Sequence, residues 1–169
     1  RALPKILKQN PKTKLTLIGF GPQEEELKKL ADRLGVLHSV SFPGSRTGLE
    51  LAEYFATADI FIGPSIVSSS GDTEGLGVVF LEAMASGTPV VASDVGGISD
   101  IVEDKINGLL VKQKDPLAIA EKVLLLAANP ILKEKFSTNG LSKVKNYFSW
   151  EMVADEFLNT YRSILEKNY

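Results

Sequence analysis

The chain has 169 residues, with 19 Lys or Arg, 21 Asp or Glu and a formal net charge of −2. Because the basic residues are scattered and slightly outnumbered, a nucleic-acid-binding protein, which needs a basic face, is disfavoured. The absence of cysteine excludes disulfides and thiolate metal sites, and it fits a reducing, cytoplasmic compartment. No apolar run approaches the roughly 20 residues that span a bilayer.

Short apolar runs alternate with longer helical segments along the first two thirds of the chain. This alternation predicts the α/β class, with a parallel sheet covered by helices. The predicted strands are residues 14–19, 39–42, 59–63, 89–93 and 108–112. The predicted helices between and after them are residues 23–34, 48–58, 76–86, 98–103 and 116–128.

The two ends of the chain read as helical. The opening "RALPKILKQNP" looks like the end of a helix already under way, so we expect the gene product to begin further upstream. Apolar residues recur at three and four positions over residues 131–148 and 149–167, which predicts two terminal helices. Ser149 is the expected N-cap of the second, with Met152 three residues into it. We expect residues 1–169 to form one domain.

The first glycine pair, Gly19 and Gly21, follows a predicted strand and precedes a helix, as in a dinucleotide-binding motif. That motif needs a third glycine where Glu24 stands, for close approach of a pyrophosphate. Three consecutive glutamates, Glu24 to Glu26, would repel a phosphate at this helix N-terminus. The next strand ends at Gly44 without an acid to hold a ribose. A tight turn before a capped helix is therefore favoured over NAD binding.

The second glycine loop, in "SSSGDTEGLGVVFLEAMASG", follows the strand that ends near Gly63. Ligands of open α/β folds bind at the carboxyl ends of the strands, where this loop lies. Gly75 and Gly77 allow the backbone to approach a ligand, and a helix starting near Leu76 presents free N–H groups to it. The loop therefore predicts an anion site of phosphate size.

Two glutamates, Glu74 and Glu82, flank this helix start. Eight helical residues span roughly 12 Å, against the roughly 5 Å that separates the carboxylates of retaining glycoside hydrolases. The longer spacing suits a ligand with hydroxyls at both ends and phosphates between them. The neighbours of Glu82 at helical spacing favour an apolar wall around it, because they are apolar or small: Val78, Val79, Ala85 and Ser86. The alternative is an ordinary solvated glutamate on an amphipathic helix.

Five segments carry a resemblance that covers nearly the whole chain. They are "LTLIGFGP", "VSFPG", "ADIFIGPS", "TEGLGVVFLEAMASGTPVVASDVGGISDIVEDKINGLLV" and "FSWEMVADEFLNTYRSIL". Together they resemble the C-terminal, donor-binding domain of GT-B fold, family-four retaining glycosyltransferases (glycosyl transferases group 1). The resemblance implies a Rossmann-like three-layer α/β/α sandwich around a parallel sheet, followed by C-terminal helices. Its most specific part is Glu74-x7-Glu82 with the continuation "EAMASGTPVVA".

The resemblance implies a role for each matching residue. Glu74 would be catalytic and touch hydroxyls of the transferred sugar, Glu82 would hold the ribose, and backbone N–H groups after Glu74 would bind the diphosphate. The segment "SFPG" would lie beside the base, and the first glycine loop near the cleft. The implied donor-binding residues are Gly19, Gly21, Phe42, Gly44, Glu74, Gly75, Leu76, Gly77, Val78 and Glu82. Gly96 and Gly97 would permit a turn, a structural role.

The resemblance also implies the reaction. A UDP-, GDP- or ADP-sugar would donate its sugar to an acceptor with retained configuration, without metal or other cofactor, and the sequence has no Asp-x-Asp motif. The partner would be an N-terminal domain, contacted by the helix "SWEMVADEF". That domain, the first strand and the basic phosphate clamp would lie upstream of Arg1. The upstream half would also carry any attachment to the inner face of the membrane.

Departures from the family pattern and alternative functions remain open. The one histidine, His38, precedes a strand far from the glutamate loop, which disfavours a role as base, and Arg46 either reaches a phosphate or has a surface role. A sugar-nucleotide epimerase would be expected to have more acids and histidines, and a phosphorylase a lysine for pyridoxal phosphate. A non-catalytic scaffold would not need both Glu74 and Glu82.

Overall fold

A computed structural model describes residues 1–73 and 75–167. The strands are β1 (Leu15–Ile18), β2 (Val40–Gly44), β3 (Phe61–Gly63), β4 (Val90–Ser93) and β5 (Gly108–Val111). The helices are α1 (Leu3–Gln9), α2 (Glu24–Arg33), α3 (Gly48–Thr57), α4 (Val78–Ala85), α5 (Ile98–Ile101), α6 (Pro116–Ala127), α7 (Pro130–Tyr147) and α8 (Trp150–Lys167). Each predicted strand and helix is confirmed, with ends within two residues of the prediction. A 3-10 turn, Leu37–Ser39, was not predicted.

The strands pair in parallel, as predicted. Within the described residues they form two sheets: β1 pairs with β2, and β3, β4 and β5 pair in that order. The register of the larger sheet aligns Phe61 with Val90 and Val90 with Gly108. The carboxyl ends of β3, β4 and β5 therefore lie at one edge of their sheet.

The central strand β4 is buried on both faces. Val90 and Ala92 pack into one apolar cluster with residues of α3, α4 and α5, among them Phe80 and Ile98. Val91 points to the other face and packs into a second cluster with residues of α1 and α6. Because successive side chains of a strand point to opposite faces, a strand with helices on both sides is apolar at every position. The three-layer α/β/α arrangement is thus present around β4.

Helix α4 is anchored over the end of β3 by aromatic packing. The Phe80 ring lies against the bare Cα of Gly63, where a Cβ would overlap the ring. Phe61 packs edge-on against both Phe80 and Phe55, with ring centroids 5.4 Å apart in each pair. Such edge-to-face pairs contribute about 0.5–1.5 kcal/mol beyond their buried area. These contacts place the N-terminus of α4 at the carboxyl edge of the sheet.

A third, smaller cluster lies beneath the β1–β2 pair. Its buried members are Leu3, Ala31 and Val36, with Leu15 and other partly buried residues packed against them. Helix α1 contributes Leu3 to this cluster and Ile6 to the cluster of α6. Helix α1 therefore connects the two parts of the core.

Helix α8 ends the described chain and leaves much of its apolar face in solvent. The Met152 N–H lies 3.3 Å from Ser149 Oγ, which confirms the predicted N-cap. Trp150, Phe157 and Tyr161 are 86%, 63% and 64% exposed. None of the helices in the described residues has the length and hydropathy needed to cross a membrane.

Candidate functional site

The candidate site is the loop of residues 64–77 together with the first two turns of α4. The loop leaves the carboxyl end of β3 and returns the chain to the start of α4 at the same edge. The turn after β4, which contains Gly96 and Gly97, lies against it, because Gly97 contacts the Gly75 carbonyl group. The site is therefore built at the edge where ligands of open α/β folds bind.

The N-terminus of α4 has the properties of an anion site. Gly77 is the N-cap, with φ 72° and ψ 53°, a left-handed conformation that favours glycine. Its carbonyl accepts the first helical bond, from the Phe80 N–H at 2.9 Å. The first turn reads "VVFL", without an acid, and Gly77 has no side chain to cap it. The partial positive charge of the helix end is thus not neutralised by its own first turn.

Glu82 lies on the solvent side of α4. The helix buries Phe80, Ala83 and Met84, and Glu82 shares the opposite face with Val78, four residues earlier. Val78 is 57% exposed. The predicted apolar wall around Glu82 is therefore wrong: the residue is exposed, as the alternative had it. The carboxylate is open to a ligand one turn beyond the helix start, and its charge needs no burial in the free protein.

The other glutamate of the pair, Glu74, lies outside the described residues. Its predicted catalytic role and its distance from Glu82 therefore stay predictions. Its neighbours Gly75 and Leu76 are exposed, and Gly77 is buried. The predicted diphosphate-binding residues Gly75, Leu76, Gly77 and Val78 thus surround the start of α4 as one continuous segment.

The preceding part of the loop is closed by its own hydrogen bonds. The Ser68 N–H donates to the Asp72 carbonyl at 2.8 Å, and the Asp72 N–H donates to Ser68 Oγ at 3.0 Å. Ser70 Oγ donates to Asp72 Oδ2 at 2.5 Å. The Val67 N–H donates to Gln113 Oε1 at 2.9 Å, which ties the loop to the end of β5. Sequence reasoning missed Gln113, because nothing in the sequence pairs it with a residue 46 positions away.

The predicted base-side residues lie around the end of β2. The Gly19 N–H donates to the Gly44 carbonyl at 2.9 Å, so the structure brings these two predicted residues together. The Lys28 ammonium lies over the Phe42 ring, 5.6 Å from its centroid, a contact that sequence reasoning missed. Phe20, between Gly19 and Gly21, is 86% exposed.

The start of α2 differs from the start of α4 in charge. Glu24, Glu25 and Glu26 occupy its first turn, as predicted. The Lys28 ammonium lies 2.7 Å from Glu24 and 3.1 Å from Glu25. Hydrogen bonds to Glu24 and then Glu25 raise the pKa of Lys28 above its ordinary value of 10.5. This end is occupied by the protein's own carboxylates, which supports the rejection of a dinucleotide site here.

His38 and Arg46 make contacts outside the loop of the candidate site. His38 lies in the 3-10 turn before β2, at the amino end of that strand, and its carbonyl accepts from Lys14 Nζ at 3.2 Å. Arg46 Nε lies 2.6 Å from Glu50 Oε1, which makes the two residues an ion pair. The angle at the Nε–H group is outside the range of a hydrogen bond. Arg46 is thus paired with Glu50, and its other predicted role, contact with a phosphate, stays a prediction.

Comparison with known proteins gives consistent findings. The family model described as "Glycosyl transferases group 1" matches residues 1–143. An uncharacterized glycosyltransferase of Methanocaldococcus jannaschii is 37% identical over 98% of this chain and 41% of its own length. A GDP-mannose-dependent monoacylated alpha-(1-6)-phosphatidylinositol monomannoside mannosyltransferase of Corynebacterium glutamicum is 32% identical over 96% of this chain and 42% of its own length.

The structural comparison agrees. Anabaena HepE, solved in complex with UDP-glucose, superimposes with a TM-score of 0.82 and 26% identity, over 96% of this chain and 44% of that one. The predicted Rossmann-like fold of a GT-B C-terminal domain is thus confirmed. The chain spans about two fifths of the length of the curated relatives it matches.

Proposed function

This chain belongs to the glycosyl transferases group 1 family, and we propose that it is the donor-binding part of an enzyme that transfers a sugar from a nucleoside diphosphate. One observation carries the proposal: an uncapped helix N-terminus with an exposed carboxylate one turn along it, at the carboxyl edge of a parallel sheet. The helix end suits the two phosphates, and the carboxylate suits a diol.

Each part of the donor has a proposed position. The diphosphate lies against the backbone N–H groups of the segment from Gly75 to Val78, and Glu82 accepts hydrogen bonds from the ribose hydroxyls. The base lies beside Phe42 and Gly44, with the loop of Gly19 and Gly21 near the cleft. The Corynebacterium relative is named as a GDP-mannose-dependent enzyme, and HepE is solved with UDP-glucose, which supports a nucleotide sugar without selecting the base.

The proposed chemistry is transfer with retained configuration, without metal or other cofactor. The developing charge of the departing nucleoside diphosphate is stabilised by the α4 N-terminus, where N–H groups are fixed before the reaction begins. Glu74 is the proposed catalytic residue, in contact with hydroxyls of the transferred sugar. A Lys and Arg clamp from an upstream segment completes the phosphate site.

The acceptor is proposed to bind a second, N-terminal domain, with this chain as the C-terminal half. The exposed apolar face of α8, with Trp150, Phe157 and Tyr161, is the proposed contact with that domain. We place the reaction in the cytoplasm, with attachment to the inner face of the membrane through the upstream half.

Calorimetric titration of the 169-residue chain with UDP, GDP, ADP and NAD tests the donor site. We expect one nucleoside diphosphate to bind weakly and NAD not to bind. Glu82→Ala should abolish binding, while Glu134→Ala, which removes an exposed carboxylate from α7, should not. Unchanged binding in Glu82→Ala, or selective binding of NAD, contradicts the proposal.

Transfer itself requires the protein that contains the upstream half. Incubation with the nucleotide sugar selected by the titration should transfer the sugar without added metal and in the presence of EDTA. Glu74→Gln should abolish transfer and leave nucleoside diphosphate affinity nearly unchanged, because its proposed contacts are to the sugar.

A further inference from the structure

The turn after β4 makes an unusually close contact with the candidate site. Gly97 is the N-cap of α5, and a Cβ on it would overlap the carbonyl oxygen of Gly75 and lie 3.2 Å from the carbonyl carbon. The bare Cα of Gly97 therefore forms the wall against which the Gly75 peptide rests.

The backbone of Gly97 does not itself require glycine. Its φ of −78° and ψ of 5° are open to any L-residue, whereas Gly96, at φ 54°, lies in the left-handed region. The missing side chain at Gly97 is thus required by its neighbour across the turn, Gly75.

The contact fixes the direction of a peptide group. Peptide bonds of the described residues are trans, so the C=O and N–H of one peptide point in opposite directions. Because the Gly75 carbonyl points at Gly97, the N–H of Leu76 points away from the β4–α5 turn. Gly75 and Leu76 are both exposed, so this segment is accessible to a ligand.

We propose that Gly97 is a positioning residue, which holds the peptide between Gly75 and Leu76 so that its N–H is aimed at a bound diphosphate. The inference rests on the proposed function. If this peptide rotated, a carbonyl oxygen would replace the N–H and repel the phosphate. An N–H fixed in advance binds an anion without a cost of reorganisation.

Gly97→Ala is the test variant, and Gly108→Ala is its matched control. A Cβ on Gly108 would lie 2.8 Å from Val102 Cγ1 and 3.0 Å from the Val90 carbonyl oxygen, on β5 rather than against the loop. Both variants add one methyl group to a tightly packed place, and only the first presses on Gly75. Thermal unfolding of both gives the general cost of overpacking.

Amide NMR tests the positioning without any ligand. We expect Gly97→Ala to change the Leu76 amide shift, and Gly108→Ala to leave it near wild type. An unmoved Leu76 amide overturns the inference. In the wild-type chain, nuclear Overhauser effects should show the Leu76 amide proton pointing away from α5, without a contact to the Gly97 Hα protons. The opposite direction overturns the inference even where Gly97→Ala fails to fold.

Nucleotide titration tests the consequence. Gly97→Ala should weaken the selected nucleoside diphosphate by roughly 10- to 100-fold, the range for one hydrogen bond to a charged group. Its affinity for the corresponding nucleoside, which has no phosphates, should not change, and Gly108→Ala should change neither. Wild-type diphosphate affinity in Gly97→Ala overturns the inference. A wild-type chain that binds no nucleoside diphosphate contradicts the proposed function instead, and the amide measurements then decide the role of Gly97.

Discussion

The two glycine loops, one after β1 and one after β3, connect the same kinds of element but differ in the charge of the helix start that follows. Each leads from the carboxyl end of a parallel strand to the start of a helix. Helix α2 begins with Glu24, Glu25 and Glu26, and α4 begins with "VVFL". Glycines allow a close approach, but the first helical turn decides whether an anion is attracted.

The loops also differ in how they are held. The first contains Phe20, 86% exposed, and is joined to β2 through the Gly19–Gly44 hydrogen bond. The second is tied to β5 by Gln113 and rests on Gly97. A loop fixed before binding loses less conformational entropy when the ligand arrives.

The largest effect on nucleotide binding is expected when the start of α4 is given a carboxylate, as at the start of α2. Val78→Glu should weaken nucleoside diphosphate binding by at least about 100-fold, since like charges about 4 Å apart repel by about 4 kcal/mol near a protein surface. The free energy of unfolding should stay the same or rise by up to about 1 kcal/mol, because a carboxylate suits a helix N-terminus. Calorimetry and thermal unfolding measure the two effects.

Val78→Gln is the control for the size and polarity of the new side chain. It should bind the nucleotide within a few-fold of wild type. If Val78→Gln and Val78→Glu lose affinity equally, the electrostatic account of this helix start is wrong.

The ribose contact is the next largest effect. Glu82→Gln should weaken the nucleoside diphosphate by roughly 10- to 100-fold, the range for losing charged hydrogen bonds. The unfolding free energy should change by less than about 0.5 kcal/mol, because the residue is exposed. Wild type should bind a 2′-deoxy nucleotide more weakly than the ribonucleotide. Glu82→Gln should bind the two nucleotides with nearly the same affinity. If the affinity losses from Glu82→Gln and from the 2′-deoxy change are additive, Glu82 does not contact the ribose.

The first loop should respond weakly to the converse change. Replacing Glu24, Glu25 and Glu26 by glutamine should alter nucleoside diphosphate affinity by less than about threefold at physiological ionic strength, where exposed charges are screened beyond about 8 Å. It should lower stability by about 1 kcal/mol or less, through the helix dipole. Tight NAD binding by this variant would show that the three glutamates were all that prevented the first loop from binding a dinucleotide.

The smallest effect concerns Lys28. Its pKa is raised in the folded protein by Glu24 and Glu25, so its contribution to stability is present below pH 10.5 and is lost as pH rises through the folded pKa. Stability above pH 10.5 should therefore fall slightly faster in wild type than in Lys28→Met. Parallel unfolding curves of the two proteins across this range would contradict the assignment.

The regular elements could be predicted because their signals are local. A continuous apolar run identifies β4, and a period of three to four identifies α7, without knowledge of the fold; Ser149 marks a helix start by itself. The exposure of Glu82 could not be predicted in this way. An apolar helix face reads the same whether it lies in the core, like Phe80, or is open to a ligand, like Val78.

The contacts that shape the site could not be predicted for a different reason. Gly97 meets Gly75, and Gln113 meets Val67, across long separations in the chain. The spacing between such residues carries no information until the order of the strands is known. The division of the strands into two sheets likewise depends on pairing that no single segment specifies.

The double membership of α1 has a consequence for cooperativity. Within the part of the chain that the structure describes, three buried residues, Leu3, Ala31 and Val36, form the core cluster under β1 and β2, whereas eight form the cluster that contains Ile6. A unit with so little buried apolar surface opens at lower free energy than the rest of the molecule. We therefore expect the β1–β2 unit to unfold first in mild denaturant. Because α1 packs against both clusters, its contacts decide whether this unfolding spreads to the rest of the molecule.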